Sequence, residues 1–455
     1  MKYADHTIYL DISDLLVNAR FQSRVAGIQR VTLRLIAQLL ARRPQSRIAL
    51  IGLHPELKRL VEVDSGWCNE HLDHDHLQFI RVFDLDLQTP FQYLRRYRND
   101  PFRLFVHAMK ILTYSVVPNE RYFAKRHMRR PFGGKSNYGA LLKPVELKAG
   151  DKIVILGATW GLPHLTEILR KSSNEGISVI PFIHDLIPMV LPQHVRDVTR
   201  IEYGQWLRRM ADMTRTFIVN SQATAADLSR HLAAIAPGCS YDITPVPLAH
   251  EFVERPYSSQ RSVRSAVLSA ARLPYVLMVG TLESRKNIWG LANVWKRIVE
   301  KLGLNAPRLV FAGQRGWLSD DFYDFLHGTG YVHGYIRTVG DATDSELRYL
   351  YENCQFTVYP SYYEGWGLPV GESLWFGKVC VTSTTSAMPE VGGSMCVYVN
   401  PNNLNDLHDK LLELVVDTDR RADLARRIDK TRLRRWRDVG NDLYAAISKQ
   451  TDTAP

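Results

Sequence analysis

Cysteine is scarce in this 455-residue chain: Cys68, Cys239, Cys354, Cys380 and Cys396 are widely spaced and odd in number. No CxxC pair occurs, so neither a zinc site nor a disulfide framework is signalled, and a reducing compartment is expected. Long apolar runs are missing too. No stretch approaches the ~18–20 residues that a membrane span needs. The longest candidate, Phe102 to Val117, is broken by Arg103, His107 and Lys110. The opening MKYADHTIYLDIS lacks the apolar core of a signal peptide and reads straight into a strand. Internal repeats and low-complexity segments are absent. These absences together predict a soluble, cytoplasmic chain.

What is present is ordinary globular composition. Hydrophobic residues make up 45% of the chain, charged residues 23% and aromatic residues 10%, which excludes disordered, collagen-like and coiled-coil classes. The length suits two or three domains, each able to bury a core. Lys plus Arg outnumber Asp plus Glu by 58 to 47, a formal net charge of +11. An anionic partner is favoured, whether nucleic acid, acidic lipid or phosphorylated metabolite.

Short β-branched runs alternate with amphipathic stretches. Strands are expected at His6–Ile12, Arg47–Leu53, Gln78–Phe83, Lys152–Leu156, Ser178–His184 and Thr214–Asn220, with helices at Ile28–Leu40 and Ala223–Leu232. After a polar stretch at 255–272 the rhythm resumes. Strands fit Val276–Val279, Arg308–Ala312, Phe356–Tyr359, Val379–Thr382 and Cys396–Val399; helices fit Trp289–Leu302, Asp344–Asn353, Val370–Phe376 and Leu404–Val416. This alternation predicts an α/β fold of two doubly wound, Rossmann-like lobes with parallel sheets. Ligand then sits outside the carboxyl ends of the strands, in the cleft between the lobes.

Residues 95–135 break the rhythm, with eleven basic side chains against Asp100 and Glu120. Phe105, Met109, Leu112 and Val116 recur at helical spacing, while Arg103, His107, Lys110 and Tyr114 share another face. Such a segment either lies on an anionic membrane surface or packs as a solvated face on the first lobe.

Other signals are set aside. Gly133-Gly134-Lys135-Ser136 imitates the end of a phosphate-binding loop but has Arg129 where the motif needs glycine, and no strand upstream. His71-Leu-Asp73-His74-Asp75-His76 and Asp84-Leu-Asp86 read as polar strand edges rather than metal sites. No nucleic-acid module appears.

The strongest constellation is Glu364-Gly365-Trp366-Gly367-Leu368-Pro369-Val370-Gly371-Glu372, directly after a predicted strand. The glycines keep Glu364 in a loop, Pro369 suits a first helical turn, and Glu372 falls about one turn into the helix. The helix N-terminus offers unpaired amides to a phosphate. A second element, Gly280-Thr281-Leu282-Glu283-Ser284-Arg285-Lys286-Asn287, follows the strand ending at Val279. Arg285 supplies a planar fork and Lys286 a compact ammonium, a pair suited to diphosphate oxygens.

These two motifs resemble those of the retaining, nucleotide-sugar-dependent glycosyltransferases of family 4, which have the two-lobed GT-B fold. The family's Glu-x7-Glu signature is matched by Glu364 and Glu372, and its diphosphate-binding pair by Arg285 and Lys286. Gly27-Ile28-Gln29-Arg30 is similar to the first-lobe glycine loop, and Ile183-His184-Asp185-Leu186 to the histidine loop. Val219-Asn220-Ser221-Gln222, Gly313, Val339-Gly340 and Arg435-Trp436-Arg437-Asp438 follow the family's order. The resemblance covers about 150–450 well and 1–50 weakly. The GTLE-x-RKN form is similar to that of transferases of O-antigen and exopolysaccharide assembly, many of them mannosyl- or rhamnosyltransferases. Thr281 stands where many members carry arginine.

The resemblance implies a retaining, metal-independent hexosyltransferase that needs no cofactor. Residues 1–260 would be the acceptor-binding lobe with the basic insertion at about 95–135. Residues 261–436 would be the nucleotide-sugar lobe, and a terminal helix over 437–455 would return to the first lobe. Catalytic residues implied are Glu364, His184, Arg285 and Lys286. Donor contacts implied are Gly27, Gly280, Thr281, Arg285, Lys286, Gly313, Val339, Gly340, Gly365, Trp366, Gly367, Leu368 and Glu372. Arg285 and Lys286 would hold the diphosphate, Glu372 the ribose, Glu364 the transferred sugar, with His184 touching that sugar from the opposite lobe. Partners implied are a nucleotide-sugar donor and a glycan or lipid-linked glycan acceptor, with no nucleic acid. The location expected is the cytoplasm, with peripheral attachment to the inner face of the plasma membrane if 95–135 docks on lipid. GDP-mannose is the donor expected first, with UDP-glucose and dTDP-rhamnose as alternatives. A non-catalytic scaffold on the same fold is the other functional class; a glycosidase-like hydrolase gives no reason for Arg285-Lys286.

Overall fold

The computed structural model describes residues 6–21, 27–42, 46–54, 57–64, 82–83, 141–254 and 263–449. The basic segment 95–135, the histidine-rich stretch 71–76, most of the strand expected at Gln78–Phe83 and much of 255–272 lie outside the described residues.

The first sheet is built from β1 (Thr7–Asp11), β2 (Arg47–Leu53), β3 (Leu60–Val63), β4 (Leu142–Pro144), β5 (Lys152–Ile155), β6 (Ser178–Ile183), β7 (Thr216–Val219) and β8 (Asp242–Pro245). Their spatial order is β4-β3-β2-β1-β5-β6-β7-β8. Six of these strands are parallel, as the alternation predicts, but β3 pairs antiparallel with β2 and with β4. An antiparallel edge on a parallel sheet needs no crossover helix, so the helix–strand rhythm carries no trace of it.

The second sheet holds β9 (Tyr275–Val279), β10 (Arg308–Ala312), β11 (Ile336–Val339), β12 (Thr357–Tyr359), β13 (Cys380–Ser383) and β14 (Val397–Val399), in the order β11-β10-β9-β12-β13-β14. Every pairing in it is parallel. The central strands are buried along their whole length, which is why they read as unbroken apolar runs. Chain order reverses between β9 and β12, so the loops after Val279 and Tyr359 face one crevice at the switch point.

Helices follow from apolar stripes and caps. In α1 (Ile28–Leu40), Val31, Thr32, Leu35, Ile36 and Leu39 form one buried stripe. The remaining helices of interest are α2 (Gln222–Ile235), α3 (Ile288–Leu302), α4 (Asp344–Asn353), α5 (Leu368–Trp375) and α6 (Trp436–Ser448). Thr343 and Glu346 close a capping box at the start of α4, with bonds of 3.1 and 2.9 Å. The last helix, α6, packs on α1: a Cβ on Gly440 would fall 2.6 Å from Gln38 Cβ, and Lys152 Nζ donates to the Ile447 carbonyl at 2.9 Å. The last helical segment of the described chain therefore lies against the first sheet's layer.

Candidate active site

The loop after β9 is pinned by a close backbone approach. A Cβ on Gly313, at the end of β10, would fall 1.8 Å from the Gly280 carbonyl oxygen. Gly280 itself has φ 139°. The chain then makes a turn of 3-10 helix over Ser284–Lys286, and Asn287 takes the left-handed conformation before α3 begins. Asn287 is held from both ends, donating to the Pro401 carbonyl and accepting from Tyr362 Oη, each at 3.0 Å. This scaffold turns Arg285 and Lys286 into the crevice, where both are nearly buried.

The loop after β12 brings Glu364 to the same place. Glu364 Oε1 lies 2.5 Å from Lys286 Nζ and 2.8 Å from Arg285 Nη1. The same oxygen accepts from Ser361 Oγ at 2.6 Å and Tyr359 Oη at 3.0 Å. Arg285 also pairs with Glu283 at 2.6 Å and donates to the Tyr363 carbonyl. Burial alone would push the Glu364 carboxyl up, but Arg285 and Lys286 outweigh it and hold it at about 2. Arg285 is pushed further above its ordinary value: burial opposes its charge, and Glu364 and Glu283 overcome that cost. Lys286 moves the other way, lowered first by burial and then by its neighbour Arg285. The crevice thus contains two buried cations and two buried carboxylates within ion-pair reach, and the cations are engaged rather than waiting free.

Glu372 is separate from that cluster. It lies on α5, which begins after Gly367 in the left-handed conformation (φ 96°) with Pro369 in its first turn. Its carboxylate meets Arg30 Nη1 at 2.9 Å and accepts from Tyr351 Oη at 3.0 Å. Arg30 comes from the other lobe, just past Gly27, the residue that caps α1.

His184 stands at the end of β6, and its Nε2 is 2.7 Å from the Leu156 carbonyl oxygen. A carbonyl only accepts, so Nε2 carries the proton and Nδ1 is a bare acceptor. Burial drops the imidazole to about 4, so it is neutral at physiological pH. The His184 carbonyl accepts from Asn220 Nδ2 at 2.6 Å, and a Cβ on Gly365 would fall 1.9 Å from that same oxygen. The lobes touch at this point. Beside His184, a cavity is walled by Trp160, Tyr203 and Trp206. Further bonds cross the cleft: Glu390 caps the amides of Gln222 and Ala223 at 2.8 and 2.7 Å, Tyr363 donates to Asp227, and His194 meets Ser284 at 2.9 Å.

The residues singled out in the sequence fall into three groups. Glu364, Arg285 and Lys286 meet in one cluster, with His184 facing the Gly365–Trp366–Gly367–Leu368 loop. Gly280, Thr281, Gly313, Val339 and Gly340 line the carboxyl ends of β9, β10 and β11. Gly27 and Glu372 are linked indirectly, through Arg30. Sequence reasoning assigned no role to Glu283, which sits in the first motif, or to Tyr359 and Ser361, which lie at the strand end just before the second. Arg30 entered that reading only as part of the glycine loop and Tyr351 only as part of a helix, because their meeting at Glu372 joins elements far apart in the chain. Among the described residues no group of three potential ligands could hold a metal ion, and no helix is long and apolar enough to cross a membrane.

The chain is similar in sequence and in fold to known proteins. Residues 260–431 match the family described as Glycosyl transferases group 1. O-antigen chain mannosyltransferase B of Escherichia coli is 35% identical over 143 residues, covering 31% of this chain and 37% of that protein. The serotype-specific mannosyltransferase WbdA of Escherichia coli is 24% identical over 299 residues, 65% of this chain and 36% of that one. The chain thus spans little more than a third of the length of these relatives. Among solved structures, Anabaena HepE in complex with UDP and glucose superposes with a TM-score of 0.56 at 12% identity, covering 98% of this chain and 99% of the other. Sucrose-phosphate synthase from Thermosynechococcus elongatus gives 0.55 at 15% identity, covering 98% of each. The resemblance is upheld at the level of the domain and the fold: residues 260–431 match the group 1 glycosyltransferase family, and the chain has the two-lobed GT-B fold of these solved structures.

Proposed function

We propose that the chain is a retaining hexosyltransferase that moves mannose from GDP-mannose to a polysaccharide or lipid-linked glycan. The observation that carries this reading is the buried Glu283, Arg285, Lys286 and Glu364 cluster at the switch point of a group 1 domain. Two cations beside a glycine-lined strand end suit a diphosphate, and they supply the charge that a departing nucleoside diphosphate needs. That chemistry requires no metal ion. Both named relatives are mannosyltransferases, which favours mannose.

On this reading the second lobe, 261–436, holds the donor and the first, 1–260, the acceptor. Arg285 and Lys286 bind the diphosphate. Glu372 holds the ribose and Glu364 the hydroxyls of the transferred sugar. His184 acts as an acceptor at Nδ1 toward a sugar hydroxyl, since it is neutral and its other nitrogen is committed. The backbone contact at Gly365 keeps water from the reacting centre when the lobes are closed. The basic segment 95–135 brings the enzyme to an anionic membrane surface where lipid-linked acceptors reside.

The test is release of nucleoside diphosphate from GDP-mannose on adding a mannan or lipid-linked glycan. Acceptor-dependent release of GDP, undiminished by EDTA, is expected. Release only from UDP-glucose or dTDP-rhamnose would move the donor assignment; no release from any donor would favour a scaffold.

A further inference from the structure

Arg30 crosses from the first lobe to a carboxylate of the second. It projects from the first turn of α1, its guanidinium 5.2 Å from the centre of the Phe252 ring and 2.9 Å from Glu372 Oε1. Glu372 is buried, and so is Tyr351, whose hydroxyl takes the other oxygen, Oε2, at 3.0 Å. Tyr351 is itself fixed by stacking on Phe376, with centroids 5.1 Å apart and planes 12° off parallel. One donor on each oxygen leaves each oxygen a further acceptor position, which matches the two hydroxyls of a vicinal diol.

We infer that Arg30 is a positioning residue for the nucleoside part of the donor: it braces Glu372 across the cleft, so the diol-binding carboxylate is complete only when the two lobes are together. This inference rests on the nucleotide-sugar reading above and adds to it a residue from the lobe that does not carry the nucleotide. The chemical class recognised is a ribonucleoside diphosphate, read through its ribose diol. The consequence is linkage. A nucleotide that prefers the braced carboxylate favours the closed arrangement, and closure improves the nucleotide site by the same factor.

The groups facing Glu372 support this. Burial pushes its carboxyl above the ordinary value, and Arg30 is the strongest influence pulling it back; Tyr351 helps, and Asp344 on α4 works against it. His250 packs on the neighbouring Gly371, with its own ring lowered by burial and so uncharged at neutral pH. Without Arg30, Glu372 would take up a proton at a higher pH and lose its aim.

Calorimetric titration of GDP and of UDP into the full chain tests this at about pH 6 and about pH 8, either side of neutrality. Wild type, Arg30→Gln, Arg30→Lys, Tyr351→Phe and Glu372→Gln are compared after melting curves confirm that each is folded. Arg30→Gln is expected to weaken the better nucleotide about tenfold at the higher pH and more at the lower one. Wild type should change little between the two, and Arg30→Lys should recover most of the loss. If Arg30→Gln does not fold, Tyr351→Phe, which removes the other brace, should show the same pH dependence with a smaller loss. Arg30 and Tyr351 variants that bind like wild type at both pH values, while Glu372→Gln is weakened, would overturn the inference and leave the donor site standing. No binding of either nucleotide to wild type would overturn the donor reading and this inference with it.

Discussion

Glu364 receives all four of its contacts on one oxygen, from Lys286, Arg285, Ser361 and Tyr359. That arrangement makes it the counter-ion of Arg285 and Lys286, in addition to the sugar-binding role proposed above. Burial works against its charge, but Arg285 and Lys286 outweigh that and hold the carboxyl at about 2 against an ordinary 4.5, so its ionised form contributes to stability. The sign follows from the depressed value: the contribution is complete above the unfolded carboxyl's range and disappears as pH falls toward about 2. Glu364→Gln should therefore flatten the acid limb of a pH–stability curve measured by denaturant unfolding. The same substitution releases two cations for phosphate, so free GDP should bind at least as well as to wild type, while turnover falls. Glu372→Ala should instead weaken free GDP, by roughly tenfold or more. Calorimetry that shows Glu364→Gln losing as much GDP affinity as Glu372→Ala would refute this division. His184 gives a separate check. Held neutral at about 4, its ring should show no titration by NMR between about pH 5.5 and pH 8, and a midpoint near 6.5 would contradict the buried geometry.

Among the elements, those legible in the sequence were the ones whose packing imposes a regular period. Ile28–Leu40, Asp344–Asn353 and Leu404–Val416 run between the residues that periodicity and capping indicate. The antiparallel strands Leu60–Val63 and Leu142–Pro144 were not legible, because both are short and their mutual pairing joins segments far apart in the chain. Ile336–Val339 and Asp242–Pro245 are only four residues each; the first has its two middle positions exposed or half-buried and the second has no buried position, so neither reads as an apolar run. The glycines at element ends separate two kinds of close approach. Gly313→Ala drives a Cβ into backbone of the same lobe, and Gly365→Ala drives one into backbone of the other. Each overpacking should cost about 1–3 kcal/mol, but in different places. Gly313→Ala should lower the melting temperature of the second lobe, whereas Gly365→Ala should mainly lower transfer rate with the melting temperature near wild type. Equal melting losses in both would show that the Gly365 contact is structural. For the basic segment, each Lys or Arg near an anionic surface contributes about 1 kcal/mol. Replacing Arg126, Arg129 and Arg130 by Gln should then sharply reduce binding to phosphatidylglycerol vesicles and leave donor affinity unchanged; undiminished binding at low salt would remove the membrane role.

At the scale of the whole molecule, the site is a product of topology. Two motifs that the sequence separates by more than seventy residues are brought together because β9 and β12 are neighbours at the point where strand order reverses. The motif residues were legible because each lies in one short loop with its glycines. The Arg30–Glu372 pair was not, since it exists only when two separately built lobes face each other. The measurement that bears most directly on the proposed nucleotide-sugar transfer is a thermal-shift comparison of GDP-mannose, UDP-glucose and dTDP-rhamnose on wild type and Lys286→Ala. Donor at a hundredfold excess over its dissociation constant stabilises the fold by ~2.7 kcal/mol, enough to rank the three. GDP-mannose should give the largest rise in wild type, and the rise should vanish in Lys286→Ala. A rise that survives in Lys286→Ala, or no rise with any donor, would contradict the assignment of the buried Arg285 and Lys286 to a donor diphosphate.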